Sequence, residues 1–206
     1  MNQKRLPTVG ILIFDDVEVL DFCGPFEVFS VARPVGENSD DDRLFDVVTI
    51  AQEDRIITCR GGLLVKPHYT IDDHPALDIL LIPGGQGTRR ERLNHRLLDW
   101  IGEQDRHTSL TTSVCTGAFL LAERGLLDNH RATTHWGSID WMRDTYPAVT
   151  MVDDKRVVDE GHIITSAGVS AGIDMSLHIV ASLHGIDTAR WTARRMEYDW
   201  RVIQQI

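Results

Sequence analysis

The chain has 206 residues, 42% hydrophobic and 25% charged, an ordinary globular balance that excludes a disordered, collagen-like or coiled-coil chain and suffices for one domain, 1–206, with its own core. Twenty-one basic residues against 31 acidic ones leave a net charge of -10, so the surrounding field repels phosphate backbones and anionic lipid, and neither nucleic acid nor a membrane is an expected partner. The basic start, Met1 to Arg5, leads into an apolar run that is short and stops at Asp15 and Asp16, and no stretch approaches the ~20 apolar residues of a bilayer span, so a cytoplasmic location is expected.

In chain order, Val9 to Phe14 is the first predicted strand, short and apolar as a strand buried on both faces should be. Val17 to Pro25 follows, with a helix expected to start near Pro25 and Asp21 placed to cap it. Glu37 to Asp42 is an acidic loop; its aspartates Asp40 to Asp42 lack the converging ligands a metal site needs and read as solvated. Phe45 to Ile50 is the second strand, and Ile56 to Cys59 pairs with Leu63 to Val65 around Gly61 and Gly62 as a hairpin added to the sheet edge. Ile79 to Ile82 is another strand, followed by the turn Pro83-Gly84-Gly85-Gln86-Gly87.

Leu93, Leu97, Trp100 and Ile101 recur at helical spacing, and Leu110 to Val114 returns to strand character. A second edge hairpin is expected from Val157 and Ile163 around Glu160 and Gly161. Ile173, Leu177, Val180, Ala181 and His184 mark a helix, and a docked terminal helix is predicted over Asp187 to Trp200, with Ala189, Ala193, Met196 and Trp200 on one face. Strand and helix alternation of this kind predicts an open α/β sheet covered on both faces.

The three cysteines, Cys23, Cys59 and Cys115, are too few and too widely spaced for a disulfide framework, and no C-x-x-C pair points to zinc. Cys115 stands apart because an apolar strand reaches it and becomes a helix with no intervening loop. That demands a sharp strand-to-helix turn, which projects a nucleophile from the carboxyl edge of the sheet, where open α/β folds bind their ligands. Unpaired N–H groups at a helix start favour thiolate, so the Cys115 pKa is expected below the free value of about 8.5. Cys59, inside a hairpin, reads as structural.

If the first strand is central, Asp21 reaches the same edge, where a carboxyl beside a thiolate is pushed toward its protonated, acid form. The N–H groups of Gly84 and Gly85, with that of Thr116, are candidates to bind negative charge developing on a substrate. The turn has neither a P-loop lysine nor a dinucleotide-binding glycine pattern, so no nucleotide is expected. Of nine histidines, His135 in Ala132-Thr133-Thr134-His135-Trp136 is the site candidate.

These segments, together with Ile11-Leu12-Ile13-Phe14, Leu20-Asp21-Phe22-Cys23-Gly24-Pro25, Ser113-Val114-Cys115-Thr116-Gly117 and Ser166-Ala167-Gly168-Val169-Ser170-Ala171-Gly172-Ile173-Asp174, resemble the ThiJ/PfpI superfamily over nearly the whole chain. The resemblance implies a class I glutamine amidotransferase-like fold, a flavodoxin-like three-layer sandwich with a mostly parallel central sheet and a cysteine nucleophile elbow. Peptidase-like members carry histidine directly after the nucleophile and a glutamate near it, whereas this chain has Thr116 and Asp21. The combination of aspartate, Cys-Thr and Thr-Thr-His-Trp resembles the isonitrile hydratase branch, which implies Asp21, Cys115 and Thr116 as catalytic residues hydrating a small-molecule isonitrile to an N-substituted formamide. Neither metal nor organic cofactor is implied. A largely apolar pocket including Trp136 is expected, as is a homodimer, with Trp100, Trp141, Trp191 and Trp200 as contact material. Cys23 carries no family expectation.

Domains of this superfamily also form the sensory half of AraC-like regulators, so a non-enzymatic ligand-binding or redox-sensing role is the alternative, and another small-molecule hydrolase or amidase chemistry is a third. The chain ends at Ile206, soon after the predicted last helix, which reads against an appended helix-turn-helix unit.

Overall fold

A computed structural model describes residues 5–201; the start at Met1 and the end at Ile206 lie outside that range. The chain runs β1 (Thr8–Leu12), α1 (Val19–Val31), β2 (Asp46–Ala51), β3 (Ile57–Thr58), β4 (Leu64–Val65), β5 (Tyr69–Thr70), β6 (Ile79–Ile82), α2 (Thr88–Glu91), α3 (His95–Asp105) and β7 (Leu110–Val114). It continues through α4 (Ala118–Glu123), β8 (Arg131–Ala132), α5 (Ile139–Thr145), β9 (Thr150–Met151), β10 (Val157–Asp159), β11 (Ile163–Ser166), α6 (Ala171–His184) and α7 (Ile186–Arg195).

A seven-stranded sheet has the order β10-β11-β7-β6-β1-β2-β5, parallel throughout except for the β10–β11 pair. Its central strands are uninterrupted apolar or small-residue runs, and every residue of β1 and β6 is buried, because helices cover both faces. On one face α1, α6 and α7 pack together; on the other, α4 contacts α2 and α3. Phe29 and Phe45 meet edge to face at 5.1 Å in the first layer, and Phe119 lies 4.2 Å from Trp141 in the second. This is the flavodoxin-like sandwich with a mostly parallel sheet and a cysteine elbow. No helix among the described residues is long and apolar enough to cross a membrane.

Several elements differ from their predicted form. The hairpin β3–β4 makes its own two-stranded ladder and does not extend the main sheet. In the second hairpin only β10 lies at the edge, since β11 pairs in parallel with β7. The helix expected from Pro25 begins at Val19 and holds Pro25 in its interior. Helix α7 stops at Arg195, because Glu197 turns to φ 50 and the Tyr198 N–H returns to the Ala193 carbonyl at 2.9 Å. Trp200 therefore lies beyond the helix. Leu93 precedes α3 and is exposed, the helix being capped by the Asn94 side chain.

Three of the four indoles expected at a subunit contact make ring or hydrogen-bond contacts within the chain. Trp100 is buried and donates to His74 Nε2 at 3.0 Å, Trp141 packs on Phe119, and Trp191 donates to the Glu37 carbonyl at 3.2 Å. In the acidic loop, Asp40 to Asp42 form a 3-10 turn held by Ser39, and Asp40 accepts from Arg33 at 3.1 Å.

Candidate active site

The chain leaves β1 toward β2 on one side and passes from β6 to β7 on the other. The carboxyl ends of β1 and β6 are thus the switch point of the sheet, where an open crevice forms. Asp21 follows β1, Gly84 follows β6 and Cys115 follows β7, so the β6 strand stands between the two reactive side chains.

Asp21 arrives in the first turn of α1 and does not cap it. The helix entry is fixed by a bridge between Val17 and Gly85 and by the Glu18 N–H, which donates to the Gly84 carbonyl at 2.9 Å. The carboxyl is 0% exposed. Its Oδ2 accepts from the Gly84 N–H at 3.0 Å. Oδ1 is buried and no N–H or O–H closes a full hydrogen bond on it; the Cys115 thiol, and more weakly the Val169 N–H, act on the carboxyl. Removal from water raises the Asp21 pKa to about 7 against the opposing pull of those donors.

Gly84 explains how the carboxyl reaches the sulfur across an intervening strand. A Cβ at this position would stand 2.6 Å from the Thr116 nitrogen, 2.7 Å from its hydroxyl and 2.8 Å from Asp21 Oδ2, so the three groups converge on the space a side chain would fill.

Cys115 sits at φ 59, a left-handed conformation that is costly for a residue with a Cβ. Three contacts hold it: its N–H donates to the Ala167 carbonyl at 3.3 Å, its carbonyl accepts from the Thr134 hydroxyl at 2.7 Å, and the following turn packs so tightly that a Cβ on Gly117 would come 2.1 Å from the Ile82 carbonyl. This is the predicted elbow. The setting of the sulfur disfavours the predicted thiolate. Burial first, and the Asp21 charge second, push the thiol up to about 12, although the Thr116 N–H and hydroxyl pull the other way. The helix start is too weak to ionise the sulfur because the chain makes a 3-10 turn, Cys115–Gly117, before a helix of only six residues.

Thr116 is locked in place. Its hydroxyl accepts from the Gly85 N–H at 3.0 Å and from the Thr88 hydroxyl at 3.1 Å, while its own hydrogen is shared between the Gly85 carbonyl at 3.3 Å and the Cys115 sulfur. The N–H groups of Gly84 and Gly85, read from sequence as donors to a substrate, donate within the protein to Asp21 and Thr116 and so position the site. His135 takes a place on the cavity wall, where its Nδ1 accepts from the Gly137 N–H at 3.2 Å and its ring lies so close to Gly168 that a Cβ there would sit 2.4 Å from Cδ2.

The cavity above Cys115 has a volume of about 530 Å³, and Glu18, Arg60, Gln86, Arg89, His135 and Trp136 contribute to its wall. It is polar where a largely apolar pocket was expected, and Trp136, at 83% exposed, stands at the rim. A second cavity of about 570 Å³ lies near Thr8, Asp46 and Val47, at the amino ends of β1 and β2 and away from the thiol.

Sequence reading missed Thr88, Thr134 and Val169 as supports of the site. Thr88 looks like an ordinary helix start. Val169 adopts φ 55, a conformation for which a β-branched residue gives no warning. Thr134 was visible only as a member of the Thr-Thr-His-Trp run. Among the described residues no group of three or more His, Cys, Asp or Glu side chains is arranged to hold a metal ion.

Fold and site define an α/β domain with a cysteine on a strained strand-to-helix turn and a buried carboxyl against it. Residues 7–182 match the DJ-1/PfpI family, and the chain belongs to that family. It is 36% identical over 191 residues to an isonitrile hydratase of Pseudomonas putida, covering 92% of this chain and 78% of that protein. The HTH-type transcriptional regulator GbdR of Pseudomonas aeruginosa is 28% identical over 184 residues, which are 89% of this chain but only 48% of the regulator, so the chain spans about half of that relative's length. A ThiJ/PfpI family protein from Pseudomonas syringae superposes with a TM-score of 0.84 at 28% identity, covering 98% of this chain and 80% of that one. Drosophila melanogaster DJ-1beta shares the fold at 19% identity, with a TM-score of 0.79 over 95% of this chain and 100% of that one.

Proposed function

We propose that the protein hydrates an isonitrile to an N-substituted formamide, with Cys115 as nucleophile, Asp21 as proton carrier and Thr116 as the residue that orients both. The observation that carries this reading is the Cys115 thiol lying against a buried Asp21 carboxyl whose pKa is raised to about 7. Similarity to the Pseudomonas putida isonitrile hydratase over most of both chains supports it.

The resting pair holds its proton on sulfur and directs it at the carboxylate. As the sulfur bonds to the isonitrile carbon, Asp21 accepts the thiol proton and returns it to that carbon, giving a thioimidate, R–N=CH–S–Cys115. Asp21, again a carboxylate, takes a proton from water as its oxygen adds to the same carbon, and the imine nitrogen gains that proton. Collapse of the adduct expels the thiol and releases R–NH–CHO. Water has been added once, no electrons have left the substrate, and neither metal nor organic cofactor enters.

The burial of Cys115 and its raised pKa weigh against a peroxide sensor, which needs an accessible thiolate. Conversion of an alkyl isonitrile to its formamide, followed by proton NMR, tests the proposal: turnover is expected from the unmodified protein and none from Cys115→Ala. Turnover surviving that substitution would remove the mechanism. A homodimer is part of the same proposal, and a monomer mass by light scattering at micromolar concentration would contradict it.

A further inference from the structure

Two arginines and one glutamate contribute to the cavity wall. Arg60, on the loop joining β3 and β4, is paired with Glu18 at 3.0 Å. Arg89, in α2, has no carboxylate partner among the described residues, and its guanidinium lies 5.6 Å from the Trp141 ring centre. Its close neighbours in sequence are paired: Arg90 with Glu91 at 2.9 Å and Arg92 with Glu123 at 3.5 Å. Asp21 is below the floor and outside the lining, so two guanidiniums and one carboxylate leave the wall with one unbalanced positive charge, in a chain whose net charge is -10. Arg89 directly follows Thr88, which holds Thr116, so the cation is tied in sequence to the group beside the sulfur.

Resting on the isonitrile reading, we propose that the substrate is an isonitrile bearing a carboxylate, with Arg89 as the residue that receives the charge. A planar guanidinium matches a carboxylate in a two-point contact, and the paired Arg60 adds field without competing for the geometry. The polar lining suits such a substrate, whereas a purely hydrocarbon isonitrile would leave Arg89 and Gln86 on the cavity wall without a group of their own to contact. The carboxylate takes no part in the bond changes and passes unchanged into the formamide.

Isocyanoacetate and its methyl ester present the same reacting carbon and differ by one charge. The unmodified protein is expected to favour the acid by about tenfold or more in kcat/KM, the size of one charge-assisted contact, and Arg89→Gln to lower that acid-over-ester ratio about tenfold through the KM of the acid. A second measurement is independent of isonitrile turnover: the affinity for N-formylglycine relative to its methyl ester, read by isothermal titration calorimetry, should fall at least threefold in Arg89→Gln. Equal use of acid and ester together with an affinity ratio indifferent to Arg89 overturns the proposal. If neither isonitrile reacts but the affinity ratio falls, the anion-receiving wall stands and the isonitrile reading fails.

Discussion

Cys59 and Cys115 stand at the same kind of junction, where a strand gives way to a 3-10 turn, and both are buried. Cys59 has φ -72, its N–H and carbonyl close a tight hairpin, and its thiol is raised by burial and then by Cys23 and Asp15. Cys115 has φ 59, and the carboxyl of Asp21 lies against its sulfur. Burial is common to the two sites and makes neither thiol reactive. What separates them is backbone strain that aims the side chain across the end of β6, and a carboxyl able to accept its proton on the far side.

The largest break in that comparison is removal of each sulfur. Cys115→Ala is expected to abolish hydration, while Cys59→Ala should keep turnover within about twofold and lose ~1 kcal/mol of stability in denaturant unfolding, the cost of a small core void. Asp21→Asn keeps the shape but removes the base, and kcat should fall about 100-fold to 10,000-fold, the usual range for losing a proton carrier. In the unmodified protein kcat/KM should rise with pH through about 7, where Asp21 becomes the carboxylate.

Gly84→Ala sharpens the comparison by leaving both reactive groups in place and pushing them apart. Its Cβ has only 2.6 to 2.8 Å to Thr116 and Asp21, so turnover should drop about 10-fold to 100-fold, with a stability loss of ~1–3 kcal/mol. Thr134→Val removes the hydroxyl that holds the Cys115 carbonyl at 2.7 Å and should cost ~1–2 kcal/mol in unfolding free energy, with a several-fold loss of rate. The last effect is on stability against pH and leaves the rate aside. Asp21 sits near 7 when folded against an ordinary value of 3.8, so its contribution is complete below the ordinary value and is lost as pH rises toward 7. The slope cannot exceed ~1.4 kcal/mol per pH unit for one proton, and Asp21→Asn should flatten that part of the curve.

Much of this arrangement was legible in the amino-acid order because strong local signals agreed with the fold. Ile79–Ile82 and Leu110–Val114 are strands at their predicted bounds, since apolar runs buried on two faces leave little choice. The elbow was readable because a strand that reaches Cys115 and continues as helix permits no other turn. The α1 start was not, because Pro25 mimics a first helical residue while the true entry is set by contacts with Gly84 and Gly85, more than sixty residues away. The thiol's protonation state was misread for a related reason: the helix-start effect is local and visible in sequence, whereas burial and the Asp21 charge come from the packed fold. The polar wall was equally hidden, since Arg60 and Arg89 come from separate segments that meet only at the crevice.

Thiolate absorbance in the ultraviolet, taken as the difference between the unmodified protein and Cys115→Ala across the pH range, bears most directly on where the shared proton rests. A Cys115 thiol that stays protonated through neutral pH and ionises only in strong alkali, toward 12, is the predicted result. An ionisation midpoint below the free-thiol value of about 8.5 would mean that the sulfur rests as thiolate and that Asp21 is not its base.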